Sequence, residues 1–389
     1  MPRNPNKIDY SGGLPASFES FQVLEDPRTG NHKKHHFGEV LFMVVTATLC
    51  GMNNFAEIED FCELQLDWFG KWIKIPHGVP TAQTFANIFA SIDPTHFNNC
   101  LKQHLETISP SLRDEIIAID GKSLRGSHTV KQGPVHVVSA WAAKQRLTLC
   151  QDHVPKKKNE IWAIEKILEQ LDLEGHTVTI DAMGTQRKFA EKIIAKRGDY
   201  LFALKGNQEA LHKEAIDHFH IALRHLKLEE ATGWSIHQDY ETEHGRKTLC
   251  SIVATENLEW MDPGIRGRWS GLRSLIVVEN QTSDKATGRK RRSEKRYYLT
   301  SLPADAQELR DKIRAHWQIE NNCHWQLDTT FREDANQTRA GNAAKNLGTV
   351  RRIVLNLLNT DNSTVKSLPK KRRQALLNHS YRESILSLA

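Results

Sequence analysis

The hydrophobic positions along the chain fall into distinct textures. Between residues 37 and 110 they recur with helical period. Val40, Leu41, Val44, Val45 and Leu49 share one helix face, and a second helix is predicted over 54–69. After Pro76, Gly78 and Pro80, Thr81 is placed to cap a third helix carrying Phe85, Ile88, Phe89 and Ile92, with Pro94 beyond its end. From Glu115 the pattern changes to short apolar runs. Ile116–Asp120, His136–Ala143 and Leu147–Val154 read as strands, the last two joined by a Lys144-Gln145-Arg146 turn. Asn159–Leu171 is an amphipathic helix, Thr177–Asp181 a strand, Gln186–Lys196 a helix and Tyr200–Leu204 a strand. Three early strands followed by alternating helix and strand predict an α/β domain with a mixed sheet.

Residues 206–226 read as helix. Helical period is then lost over 234–302, where Thr248–Ala254, Leu275–Val278 and Tyr297–Thr300 form strand-like runs. That stretch predicts a β-rich insertion at about 231–302. Helix returns over 305–332 and 339–359. The predicted organisation is a polar N-terminal segment (1–36), an all-α domain (37–110), an α/β domain (111–360) and a basic C-terminal tail (361–389). The all-α region is either a DNA-reading helix-turn-helix or an ordinary bundle; periodicity does not choose. No internal repeat is found.

Composition narrows the class without naming a function. Hydrophobic residues make up 39% of the 389 and charged residues 26%, as in globular proteins. The net charge of +6 permits nucleic-acid binding without requiring it. The polar start, MPRNPNKIDYSGG, has no signal-peptide core, and the apolar run near Val40–Met52 is too short for a bilayer, which needs ~20 residues. No membrane is expected. The six cysteines contain no CxxC pair, which predicts a reducing, cytoplasmic setting without disulfides.

The chemistry-bearing residues stand at strand ends. Asp120 closes the apolar run IIAID and Asp181 closes TVTID. A carboxylate at the C-terminal end of a buried strand is held rigidly at the edge where α/β folds place ligands. Two such ends suit a hard cation such as Mg²⁺, which prefers oxygen donors. A third ligand would come from a helix, and Glu320 is the candidate, with His316 and His324 four residues either side. Taken singly, each acid is equally well a strand cap or a solvated helix face. Gly121-Lys122-Ser123 imitates the end of a P-loop, but position 116 is Ile where that loop needs glycine. A zinc site from His316, Cys323 and His324 lacks a second ligand pair at the right spacing.

Four segments together carry a resemblance: AIDGKSLRGS (118–127), TIDAMGTQ (179–186), ALKGNQ (203–208) and RAHWQIENNCHWQLDTTFREDANQTRAGNAAKNL (314–347). They resemble the H-repeat-associated family of bacterial insertion-sequence DDE transposases, over roughly residues 15–360. The resemblance implies a ribonuclease-H-like mixed sheet with a β-rich insertion, plus an all-α N-terminal domain. It implies Asp120, Asp181 and Glu320 as catalytic metal ligands for two Mg²⁺ ions, with Mn²⁺ able to substitute. One ion would activate water or a DNA 3′-hydroxyl and the other would stabilise the leaving oxygen. It also implies double-stranded DNA partners (terminal repeats and target), a homo-oligomeric synaptic complex and a cytoplasmic, nucleoid-associated enzyme. Hairpin-forming relatives carry Tyr, Arg, Glu and Lys at fixed spacing. The matching positions here are Ile313, His316, Glu320 and Leu327, with Arg314 out of register.

Candidate DNA contacts are Lys122, Arg125, Lys205, Asn207, Arg314 and His316, with the basic tip Arg289, Lys290, Arg291 and Arg292. The tip and the Lys370–Arg373 run are read either as phosphate contacts or as solubilising charge. Three other functions remain open: a catalytically silent DNA-binding descendant, a nuclease that cuts without joining, and a structural module.

Overall fold

A computed structural model describes residues 18, 21, 24–29, 33–108, 112, 114–128, 133–154, 160–225, 231–243, 245–291, 293–365 and 367–388. Most of the predicted N-terminal segment and Arg292 lie outside them. The chain divides into two compact units. The first comprises Met1–Leu112, Gly121–Ala163 and Glu320–Ala389; the second comprises Arg113–Asp120 and Ile164–Ile319.

The first unit is built on helices α1 (Phe37–Leu49), α2 (Phe55–Leu64), α3 (Leu66–Phe69), α4 (Ala82–Ser91) and α5 (Pro94–Ile108). Every residue of α1 except Glu39 is buried, so this helix is a core element rather than an amphipathic one. Thr81 caps α4 as predicted, its side chain accepting a bond from Thr84 N. Strand β1 (Ile116–Leu124) begins in the second unit and ends in the first. Within the first unit it is followed by the antiparallel pair β2 (Val135–Ala142) and β3 (Leu147–Val154), in the order β3-β2-β1.

In the second unit come α6 (Glu160–Gln170), whose first turn belongs to the first unit, β4 (Thr177–Ile180), α7 (Arg187–Ala195), β5 (Asp199–Leu204) and α8 (Glu209–His225). Next come β6 (Trp234–Glu243), β7 (Arg246–Thr255), the one-turn α9 (Pro263–Arg266), β8 (Ser274–Asp284), β9 (Glu294–Thr300) and α10 (Ala306–His316). The strand order is β1-β4-β5-β9-β8-β7-β6. β1, β4 and β5 run parallel, and β9 joins β5 antiparallel, so the predicted β-rich insertion extends this sheet. Strand alternation sends Tyr298 into a core with Ile252, Ile276 and α10 residues Leu309 and Ile313. Its neighbour Tyr297 points the other way, against Phe219 of α8.

The chain then returns to the first unit through a π-helical turn (Ile319–His324), α11 (Trp325–Thr329), α12 (Ala343–Thr360), α13 (Leu368–Leu377) and α14 (His379–Ile385). The N-terminal helices do not stand apart: α1, α4 and α5 all pack on α12. Polar residues of α12 satisfy the backbone they cover. Asn356 donates to Thr148 O (2.9 Å) and accepts from Thr148 N (2.8 Å), closing the β3 edge. Asn346 donates to Phe89 O and Ile92 O at the end of α4.

The basic C-terminal run behaves differently from either reading of it. Lys370 and Arg373 are exposed, but Lys371 and Arg372 are buried. Lys371 donates to Leu358 O and Asp361 O, and Arg372 donates to Thr48 O and Thr330 O. These two cations saturate carbonyls at helix ends, which a charge count cannot distinguish from a solvated patch.

All six cysteines are buried and unpaired. Among the described residues, no helix is long and apolar enough to cross a membrane.

Candidate metal centre and its supports

The two aspartates lie on neighbouring strands of the second unit. β1 and β4 are parallel, and their last register pair is Ile119 with Ile180. Asp120 lies within β1 and Asp181 is the first residue beyond β4, each one step past that pair, so the two stand side by side. Paired strands run ~4.8 Å apart.

The loop after Asp181 is braced from three directions. Asp181 Oδ1 accepts from Gly184 N (3.1 Å). Thr185 Oγ1 donates to Ala203 O on β5 (2.6 Å), and Gln208 donates to Thr185 O (2.9 Å). Asn207 donates to Ala182 O (2.5 Å), so its amide is engaged in holding this loop, whereas the sequence suggested a DNA contact. Lys205 beside it is exposed.

Glu320 lies in the first unit within the π-helical turn. Such i→i+5 turns are rare and recur at functional sites. The Glu320 carboxylate is largely exposed and lies 3.2 Å from His324 Nδ1. The hydrogen bond with His324 holds the Glu320 pKa below the usual carboxylate value, against the opposing effect of partial burial. His316 goes elsewhere, its Nδ1 lying 2.9 Å from Thr179 Oγ1 on β4. Cys323 is buried and its thiol is pushed up to about 11 by burial, so the zinc grouping of His316, Cys323 and His324 gains no thiolate.

The residues that follow Asp120 diverge from the sequence reading most. Lys122 is buried, with its Nζ 2.6 Å from Asp328, 3.0 Å from Asp334 and 3.5 Å from Glu333. Burial opposes its charge, but Glu333, Asp328 and Asp334 outweigh that and raise its pKa. Its ammonium is committed to three carboxylates and does not face solvent as a phosphate contact would. Glu333 in turn pairs with Arg352 at 3.0 Å, both fully buried. On the opposite face of β1, Ser123 Oγ lies 3.0 Å from His136 Nδ1, and His136 Nε2 meets Glu160. A Cβ at Gly121 would come within 2.5 Å of Glu160 Oε1 and 2.6 Å of His136 Nε2, so any larger residue would have to displace these side-chain ends. None of these partners was legible from spacing, since Lys122 and Asp328 are 206 residues apart.

The other candidate DNA contacts are on the surface. Arg125 is exposed beside Asp334, and Arg314 is exposed beside Glu241. Arg289, Lys290 and Arg291 are exposed at the connection between β8 and β9.

Comparison with known proteins decides the family. Residues 111–357 match the model described as "Transposase DDE domain", and residues 18–105 match the one described as "DDE_Tnp_1-associated". The chain belongs to the DDE transposases. Among their members it is 35% identical over 368 residues to "Putative transposase YncI" of Escherichia coli O157:H7, covering 94% of this chain and 93% of that one. It is 34% identical over 373 residues to "H repeat-associated putative transposase YhhI" of Escherichia coli K12, covering 95% and 97%. The DDE domain implies a ribonuclease-H-like fold, in keeping with the mixed sheet and helical N-terminal region described above. A cryo-EM structure of piggyBac transposase in a synaptic complex with hairpin DNA aligns at a TM-score of 0.44 and 9% identity. That alignment covers 92% of this chain and 74% of the other, and at that level it decides nothing.

Proposed function

We propose that this DDE transposase cuts the ends of a bacterial insertion sequence and joins them to target DNA, with Asp120, Asp181 and Glu320 holding the divalent cations. The observation that carries this reading is the register of β1 and β4, which sets Asp120 and Asp181 side by side. The donor types suit the ion: the proposed ligands Asp120, Asp181 and Glu320 are all carboxylates, and Glu320 has the His324 imidazole beside it. Mg²⁺ is the natural ion for the carboxylates, and Mn²⁺, which accepts imidazole more readily, substitutes. A divalent cation held there would supply Lewis-acid activation of the attacking oxygen and charge stabilisation at phosphorus.

The protein's own share is placement. Asp120 is held within β1 and Asp181 directly after β4, Gly184, Thr185, Asn207 and Gln208 fix the loop behind Asp181, and His324 lowers the Glu320 pKa. Duplex DNA would be met by the exposed cations Arg125, Lys205, Arg289, Lys290, Arg291 and Arg314. Synapsis of two element ends calls for self-association, and the work is done in the cytoplasm on the nucleoid.

The test is cleavage of the gene's own flanking DNA with Mg²⁺ or Mn²⁺, comparing wild type with Asp181→Asn. Metal-dependent nicking at defined ends, lost in the variant, supports the reading. Specific end binding without cleavage by wild type overturns it in favour of a silent DNA-binding descendant. Cleavage without joining to target overturns the transfer step and leaves a nuclease.

A further inference from the structure

We infer that Lys122 is a positioning residue for the metal ligand Asp120, clamping the end of β1 through a buried ion cluster. The inference rests on the proposed role of Asp120 and goes beyond it by assigning work to a residue that touches neither metal nor DNA.

Strand alternation supplies the first part of the argument. Residues 120 and 122 of β1 point to one face, and residues 121 and 123 point to the other. Both faces of this strand end are fixed. On the far face, Gly121 lies tightly against the His136–Glu160 pair, and Ser123 meets His136. On the near face, Lys122 inserts its ammonium among Asp328, Glu333 and Asp334. Rotation or sliding of the strand end would break one set of contacts or the other.

The second part concerns the partners' anchorage. Glu333 is fully buried and held by Arg352 and Arg351 of α12. Asp328 belongs to α11, which continues directly from the turn carrying Glu320 and His324. Asp334 is also 3.3 Å from Arg125 Nε and accepts from the Arg125 backbone N–H, three residues along from Lys122. Lys122 therefore joins the strand that bears Asp120, the segment that bears Glu320 and the rigid core helix α12. Partners of this kind orient metal ligands, and their loss typically costs about 10- to 100-fold in metal affinity.

A purely structural lysine would be missed only in stability, and the experiment separates the two roles. Mn²⁺ binding to the full chain is measured by calorimetry for wild type, Asp120→Asn, Lys122→Met and Lys122→Arg, with folding checked by urea melts. Lys122→Arg keeps the charge, so it remains informative where Lys122→Met leaves too little folded protein. The expected result is an Asp120-dependent Mn²⁺ site in wild type that weakens about 10-fold or more in folded Lys122→Met and by a smaller factor in Lys122→Arg. End-DNA binding should be unchanged in both. Unaltered Mn²⁺ affinity in both variants, with only the urea midpoint reduced, overturns the positioning role and leaves the metal site intact. No Asp120-dependent Mn²⁺ binding in wild type overturns the site itself, and the positioning role falls with it.

Discussion

The Glu333 carboxylate lies 3.0 Å from Arg352 Nη1, and neither side chain has any surface exposed to solvent. A buried pair of this kind is weak evidence of net stability, but removing one partner strands the other. Arg352→Met should therefore destabilise the protein by roughly 3–5 kcal/mol, whereas Arg352→Met combined with Glu333→Gln should cost clearly less. Urea melts of the two variants beside wild type decide this. Equal losses in the single and double variants would show that the pair is not coupled.

Acid stability should decline in two stages. Burial, helped by Arg352 and Lys345, pushes the His153 imidazole down to about 3. Neither of its ring nitrogens has a hydrogen-bond partner. Burial works against the Glu333 charge, but Arg352, Lys122 and Arg351 prevail and hold it at about 2. Both groups have folded values below their unfolded ones, ~6.5 for His and ~4.3 for Glu. Each contribution is therefore complete above the unfolded value and is lost as pH falls towards the folded one. His153 should govern the decline from about pH 6.5 towards 3, and Glu333 should add to it from about 4.3 towards 2. His153→Gln should flatten the upper stage in urea melts run at successive pH values. An unchanged slope would remove His153 from the account.

The three proposed ligands should behave alike in one respect and unlike structural residues in another. Asp120→Asn, Asp181→Asn and Glu320→Gln should each lower end cleavage by roughly 10³-fold or more while leaving end binding within a few-fold. Single-turnover cleavage beside a gel-shift titration checks both. Substantial cleavage by any of the three variants would remove that residue from the ligand set.

The exposed tip between β8 and β9 offers a measurement of charge. If Arg289, Lys290 and Arg291 each meet a phosphate, replacing all three by Gln should reduce the slope of log affinity against log salt by about 2.7. Filter binding across a salt series reads this directly. An unchanged slope makes the tip a solubilising run.

A fifth prediction concerns Gly126. A Cβ there would lie 2.8 Å from the Asp334 carbonyl oxygen and would also collide with the backbone of Asn336. Backbone cannot yield as a side-chain tip does, so Gly126→Ala should cost about 1–3 kcal/mol. A urea midpoint equal to wild type would mean that the 334–336 segment moves freely.

What could be read from the chain alone follows the physics of each signal. IIAID and TVTID were legible because a fully buried parallel strand must be continuously apolar, and the acid that ends the run is conspicuous. Thr81 was legible because capping is local. β6 was missed because its sequence, WSIHQDYETE, mixes polar residues on both faces, as an edge strand can. α13 and α14 were missed because Lys371, Arg372 and Arg382 are buried against carbonyls and rings, and buried cations look like surface charge in a sequence. The same limit hid the clamp on Lys122, whose partners are set by the fold rather than by spacing.

The bond from Arg372 to the carbonyl of Thr48 has a consequence in time. The two residues are 324 positions apart, and the bond closes the end of a helix with a single exposed-side residue among thirteen. At a synthesis rate of ~5–20 residues per second, the ribosome needs on the order of 16–65 s to travel from one to the other. For most of that interval α1 has been made while α12, which covers it, has not, and the guanidinium that seals it comes later still. A helix made early is among the last to be finished. A nascent chain stalled before residue 340 should therefore present α1 to chaperones, whereas a completed chain should not.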